Sequence, residues 1–199
     1  METPTADATT GHRRDARISW RETRERMRAD RVRLRELARR ADGSLPTRLA
    51  LLYPSYASVW FHRLSHYAFE RRWRFFARLV WQVAFWTTGS DVNPASDIGG
   101  GLVILHPAAI SFSGRAGRNL TMSALSGVGA LHPRTEDVGA GPGFPVIGDD
   151  VVLGPHSGVM GPVRIGDRVR LLGVIAKVDV PADTVLEADE PKFVRASTS

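Results

Sequence analysis

The sequence predicts a mainly β chain with a helical N-terminus: a three-sided parallel β-solenoid of six-residue repeats preceded by an α-helical segment. The first observation behind this is a beat. An aliphatic or small apolar residue recurs every six positions at Val92, Ile98, Ile104, Ile110, Ala116, Met122 and Val128, and again at Ile147, Leu153, Val159, Ile165 and Leu171. Each unit then supplies one short strand and a corner. A helix cannot satisfy this beat, because six residues at about 100° each leave successive apolar side chains roughly 240° apart. Three units of about 18 residues return the chain to its start and stack like residues in columns. The second observation is glycine directly after an inward residue, at Gly99, Gly117, Gly148, Gly154 and Gly166; a tight corner there needs either φ freedom or a missing side chain. The third is a small or aliphatic fifth position, as at Leu102, Ala108, Leu120, Ser126, Val151, Ser157 and Val169.

In chain order, residues 1–15 are polar and rich in Thr and Ala, which predicts disorder. Residues 16–88 form the helical segment. Arg, Glu, Leu and Ala dominate from 18 to 40, and Asp42-Gly43-Ser44 with Pro46 stops that helix. A second helical block runs from 56 to 86, with a break at 70–72, and Gly89 ends it. The solenoid is expected over 89–180, interrupted by a Gly/Pro-rich insertion at 129–146. Loops of this length on a rigid scaffold commonly serve function. Lys177 falls out of the inward pattern, so 181–199 reads as a tail.

Composition narrows the function classes. The chain of 199 residues, 43% hydrophobic, is long enough for one substantial domain and an accessory segment. It has no cysteine, which excludes disulfides, thiolate metal sites and a Cys nucleophile. That, with no early apolar run before a small-residue cleavage site, predicts a cytoplasmic protein. The net charge of +6 gathers in residues 13–40, but Lys occurs only at Lys177 and Lys192, so a global preference for Arg explains much of it. No aromatic-interleaved or groove-reading motif accompanies the charge, and nucleic acid is not an expected partner. The first helix therefore reads as solvated or as a cap on a trimer. Trp73, Phe75, Phe76, Trp81, Phe85 and Trp86 beside Arg71, Arg72, Arg74 and Arg78 fit either a packed helical cap or an amphipathic helix resting on a membrane surface.

Of six histidines, His106 is the one inside the first hexad run, in GLVILHPAAI. From the residues alone it serves either packing or acid–base chemistry, and Asp91 is either a turn residue before Asn93-Pro94 or a carboxylate for an imidazole. The stretch SDVNPASDIGGGLVILHPAAI resembles the entry to the catalytic domain of serine O-acetyltransferases and their relatives among the hexapeptide-repeat acyltransferases. The helix FHRLSHYAF, the insertion and the resumed repeat PVIGDDVVLGPHSGVMGPVRIGDRVRL follow in that family's order, so the resemblance covers roughly residues 56–194.

This resemblance implies a left-handed parallel β-helix, acetyl-CoA as co-substrate with no metal, and a homotrimer or dimer of trimers with active sites at subunit interfaces. It places His106 on the general base and Asp91 on the carboxylate that orients it. Backbone N–H groups around Gly127 and Gly129 are the expected oxyanion donors, and Gly129, Pro155 and Gly173 are expected along the groove for the pantetheine arm. Lys177, Lys192 and Arg195 would meet the coenzyme phosphates, or else belong to a solvated tail. Leu105, His132 and Phe144 are the expected acceptor-binding positions.

The departures bear on the acceptor. Serine acetyltransferases carry Asp just before the catalytic His, where this chain has Leu105, and end the insertion in Arg-His-Pro, where this chain has Gly143-Phe144-Pro145. A desolvated amino acid needs charged partners. The reading preferred on this ground is an O-acetyltransferase acting on a sugar, polysaccharide or secondary-metabolite hydroxyl. The alternatives are a genuine serine O-acetyltransferase, a γ-carbonic-anhydrase-like enzyme with a metal held by His106, His132 and His156, and a non-catalytic scaffold.

Overall fold

A computed structural model describes residues 17–40, 53–133 and 135–187. Among these residues three helices precede the solenoid: α1 (Trp20–Arg40), α2 (Pro54–Glu70) and α3 (Arg74–Thr88). The Ser19 hydroxyl accepts the Glu22 N–H at 3.1 Å and so caps α1. Pro54 opens α2, where its missing N–H costs nothing. Arg72, at φ 64°, makes the predicted break, and Gly89, at φ 73°, closes α3.

Among the described residues fourteen short strands then form three parallel sheets, the faces of a prism. The first face is β1 (Asp91–Val92), β4 (Ser111–Phe112), β7 (Gly127–Gly129), β10 (Gly158–Met160) and β13 (Val174–Ala176). The second is β2 (Asp97–Ile98), β5 (Arg115–Ala116), β8 (Val146–Ile147) and β11 (Arg164–Ile165). The third is β3 (Val103–Ile104), β6 (Thr121–Met122), β9 (Val152–Leu153), β12 (Arg170–Leu171) and β14 (Val185–Leu186). The predicted inward residues stack inside: Ile98, Met122, Leu153 and Val159 are fully buried. Burial of each such side chain is worth about 1.5–3 kcal/mol.

Three details depart from the simple beat. Phe112, not Ile110, takes the inward place on the first face, pairing with Val92 below and Val128 above. Two extra residues in the preceding corner push the register, and the following corner is shorter by the same amount. The glycines after inward residues have ordinary φ; they are needed for close approach, since a Cβ on Gly99 would lie 2.7 Å from the Gly117 carbonyl carbon. The left-handed corner positions belong instead to Asn119, Asp150 and Arg168. Finally, the coil does not stop at Lys177 or at 180. Lys177 sits outside at a left-handed corner (φ 61°), and β14 pairs with β12, carrying the coil to Leu186. The predicted disorder at 1–15 lies outside the described residues.

The α1 helix is not solvated on its inner side. It buries Thr23, Arg26 and Asp30, a charged stripe laid against the open first coil. An open coil end presents carbonyls and amides that a preceding coil would have paired. Guanidinium groups replace that coil. Arg26 donates to Ile98 O at 2.8 Å and Asp97 Oδ1 at 2.6 Å, Arg63 of α2 donates to Ile98 O and to Gly99 O, and Arg33 donates to Gly101 O at 2.7 Å. Asp30 Oδ1 accepts the N–H groups of Gly101 and Leu102, both at 2.8 Å, while its carboxylate forks onto Arg63 at 2.9 Å. The same arrangement leaves Trp73, Phe75 and Trp86 exposed on the outer side of the helices. Among the described residues no helix is long and apolar enough to cross a membrane.

His62 is buried beneath this cap, stacked 5.8 Å from His66, and among the described residues neither of its ring nitrogens has a hydrogen-bond partner. Desolvation, then the nearby Arg63, His66 and Arg26, hold its pKa well below 6.5; burial also lowers that of His66, against the Pro94 carbonyl, Asp97 and Glu70. Both rings are thus neutral in the fold and charge more readily once unfolded. Below about pH 6.5 the unfolded chain binds more protons, so stability falls as pH drops through that value. Thermal melts should be level above pH 7 and decline towards pH 5, with His62→Phe flattening the decline; a melting temperature independent of pH over this range would contradict the assignment.

Candidate active site

The corner joining β3 to β4, residues 105–110, is two residues longer than its counterparts at 123–126 and 154–157 in the coils above. His106 sits there at φ 104° and Ala109 at φ 55°. A non-glycine residue so placed costs of order 1–3 kcal/mol and persists only where its surroundings impose it. They do so here. Leu105 N–H donates to Met122 O at 2.8 Å, Ala109 N–H to Gly89 O at 3.1 Å, Leu125 N–H to Ala108 O at 3.3 Å, and Asp91 N–H to Ile110 O at 2.7 Å. The imidazole is exposed, and among the described residues its side chain has no hydrogen-bond partner. Leu105 beside it is 37% exposed, an apolar side chain offered to solvent at the same corner.

Asp91 opens β1, paired with Ser111 just beyond the His106 corner. Its Oδ1 accepts the indole N–H of Trp81 at 2.8 Å, and no hydrogen bond joins it to His106 within the chain. Trp81 was not singled out for this from the sequence. A signal existed, since a half-buried indole seeks an acceptor for its N–H and Asp91 is the next carboxylate along the chain.

The remaining predicted positions divide between two edges of the prism. His106, Pro155 and Gly173 lie along the edge between the third and first faces, in its first, third and fourth corners. Pro155 is exposed, and nothing lies within 4 Å of where a Gly173 side chain would be, so this edge is open as a groove requires. Gly129 ends β7 of the first face, and His132, Phe144 and Lys177 lie beyond it on the other side, in the insertion and the β13–β14 connection. There Asp137 Oδ1 accepts the N–H groups of Gly139 at 2.7 Å and Gly141 at 3.0 Å, and Gly139, Gly141 and Gly143 all take positive φ, which gives the insertion a tight fold ending at Phe144. The Gly127 N–H is committed to Ser157 O at 2.9 Å, so it is not a free oxyanion donor as expected. Lys192 and Arg195 lie outside the described residues. His106, His132 and His156 do not converge, and among the described residues no group of three or more metal-ligating side chains comes together.

A stack of six-residue coils closed at one end by helices, with an exposed imidazole on a lengthened corner, defines a hexapeptide-repeat transferase. The bacterial transferase hexapeptide family (six repeats) matches residues 144–172. Serine acetyltransferase of Mycobacterium tuberculosis is 30% identical over 158 residues, which take in 75% of this chain and 66% of that protein; this chain thus spans about two thirds of that relative's length. The chain belongs to the serine acetyltransferase-like family of hexapeptide-repeat acyltransferases. Its fold is shared by serine acetyltransferase of Neisseria gonorrhoeae, solved in complex with serine (TM-score 0.74, 23% identity, 89% of this chain and 71% of that one). It is shared likewise by a serine acetyltransferase solved in complex with CoA (TM-score 0.71, 17% identity, 88% and 71%).

Proposed function

We propose that this chain transfers the acetyl group of acetyl-CoA to a hydroxyl, with L-serine as the acceptor, and that His106 is the general base. The observation that carries the reading is the exposed His106 imidazole, held at φ 104° on a corner that the backbone pins from both sides. The acceptor O–H proton passes to the imidazole as the oxygen attacks the thioester carbonyl. The new C–O bond forms, the C–S bond breaks, and the imidazolium returns the proton to the leaving thiolate. Asp91 stabilises the imidazolium, its own carboxylate held by Trp81. The open edge at Pro155 and Gly173 suits an extended pantetheine arm, with Lys177 towards the coenzyme phosphates. Assembly as a trimer would set the His106 edge of one protomer against the insertion of its neighbour, so that Phe144 and His132 reach the acceptor.

The relatives named above are serine acetyltransferases, which favours serine over the sugar or secondary-metabolite hydroxyl suggested by the departures. One feature favours a second reading, a less polar acceptor: Leu105 presents an apolar side chain to solvent next to His106. Thiol release from acetyl-CoA separates the two. Saturable release with L-serine at micromolar to millimolar concentration is expected. Release that serine does not accelerate, but an uncharged sugar or a less polar alcohol does, would transfer the assignment to the second reading, and sedimentation as a monomer would remove the shared site.

A further inference from the structure

A cleft of about 310 Å³ opens beside Asp91, between the helices and the start of the first face, lined by Phe69, Arg74, Arg78, Trp81, Asn93 and Ser113 among others. Two guanidinium groups stand over its aromatic walls. Arg74 lies 4.3 Å from the Phe69 ring centroid, and Arg78 lies 5.2 Å from that of Trp81. Among the described residues neither arginine has an ion-pair partner, and α3 contains no acidic side chain. The one carboxylate on the cleft wall, Asp91, is engaged by the indole N–H. Asn93 and Ser113 add polar atoms at the opposite wall, their side chains 3.4 Å apart.

We infer that this cleft holds the anionic group of the acceptor, and that Arg74 and Arg78 are the specificity-determining cations for a hydroxy acid. The inference rests on the acetyl-transfer reading above, because the cleft is tied to the reaction through Asp91. A carboxylate leaving water needs a charged, geometrically matched partner. The end of the insertion, Gly143-Phe144-Pro145, offers none. A guanidinium stacked on an aromatic face has lost little further freedom when it forks onto a carboxylate, so the rings of Phe69 and Trp81 pre-position these two for binding. Phosphate would suit the same pair, and the coenzyme is its other source. The acceptor is favoured because the open edge suited to pantetheine rises through the corners at Pro155 and Gly173, coils away from this cleft.

The test combines calorimetry with steady-state kinetics on the full chain, using L-serine, L-serinamide and acetyl-CoA against wild type, His106→Ala and the double variant Arg74→Gln/Arg78→Gln. The double variant should bind L-serine about 10- to 100-fold more weakly, the scale of charge-assisted hydrogen bonds. Its KM for serine should rise to match, with the KM for acetyl-CoA unchanged. L-serinamide, which lacks the carboxylate, should bind equally to wild type and double variant. A serine Kd that the double variant leaves unchanged overturns the inference, and so does a rise confined to the KM for acetyl-CoA, which would give the cations to the coenzyme. His106→Ala should bind serine like wild type while losing turnover. If it turns over normally, the catalytic reading falls, whereas loss of serine affinity in the arginine variant would still support the cleft.

Discussion

Replacing His106 by Ala should lower kcat/KM for acetyl transfer by about 10²- to 10⁴-fold, the range of general-base assistance by one positioned side chain. The loss should fall on kcat, because a proton moves to the imidazole only as the new bond forms and the ground-state complex uses it little. Stability should change little in the same variant. The ring is exposed and makes no side-chain hydrogen bond among the described residues, so removing it opens no cavity. The strained φ of 104° contributes no difference, because alanine carries a Cβ too and does not relieve it. A variant that melts like wild type and yet releases thiol from acetyl-CoA at an undiminished, serine-dependent rate would remove His106 from the chemistry. The measurement separates chemistry from folding because the corner is held by backbone bonds at Leu105, Ala109 and Ile110, none of which involves the imidazole.

Asp30→Ala should destabilise the protein by about 3–5 kcal/mol, the cost of leaving a buried charge without its partner. Both Asp30 and Arg63 are 1% exposed, and the carboxylate is the fork for Arg63 as well as the acceptor for two backbone N–H groups. Its removal strands a guanidinium and two amides together, and each unpaired buried donor adds its own desolvation penalty. Urea unfolding should show a lower midpoint, with the slope unchanged as long as the cap stays docked. Adding Arg63→Met to Asp30→Ala should recover part of the stability by removing the stranded charge. Recovery should stay incomplete because Gly101 and Leu102 still lack an acceptor. A single-variant cost within about 0.5 kcal/mol, the usual range for surface changes, would mean that water replaces the carboxylate and that the cap is not closed.

The two outcomes differ in how far the sequence anticipates them. His106 could be read as a candidate from a short motif, since its neighbours in the chain carry the resemblance and the corner is local. Asp30 could not. On the helical wheel it lies on a stripe with Thr23 and Arg26, polar residues that composition assigns to solvent, and only the open coil end makes that stripe the buried one. Phe112 was missed for a related reason: the two-residue lengthening of the His106 corner is compensated before Ala116, so the apolar beat runs on undisturbed through Ile110, which is itself buried at the corner. Lys177 was read as the end of the coil because a charged residue had reached an inward phase. A left-handed corner shifts it outside and lets the chain rejoin the third face at β14.

By itself the sequence determined the solenoid, its inward columns and the place of the insertion, because a repeat is a local pattern that each six-residue unit states again. The tertiary structure alone decided which groups close the first coil, that Trp81 holds Asp91, and that Arg74 and Arg78 stand beside it with no ion-pair partner among the described residues. The cap contacts join helices to coils far apart in the chain, and the others, though close in sequence, depend on how α3 is laid against the first coil. Burial and pairing of a charge depend on what the fold lays against it, and no periodicity records that.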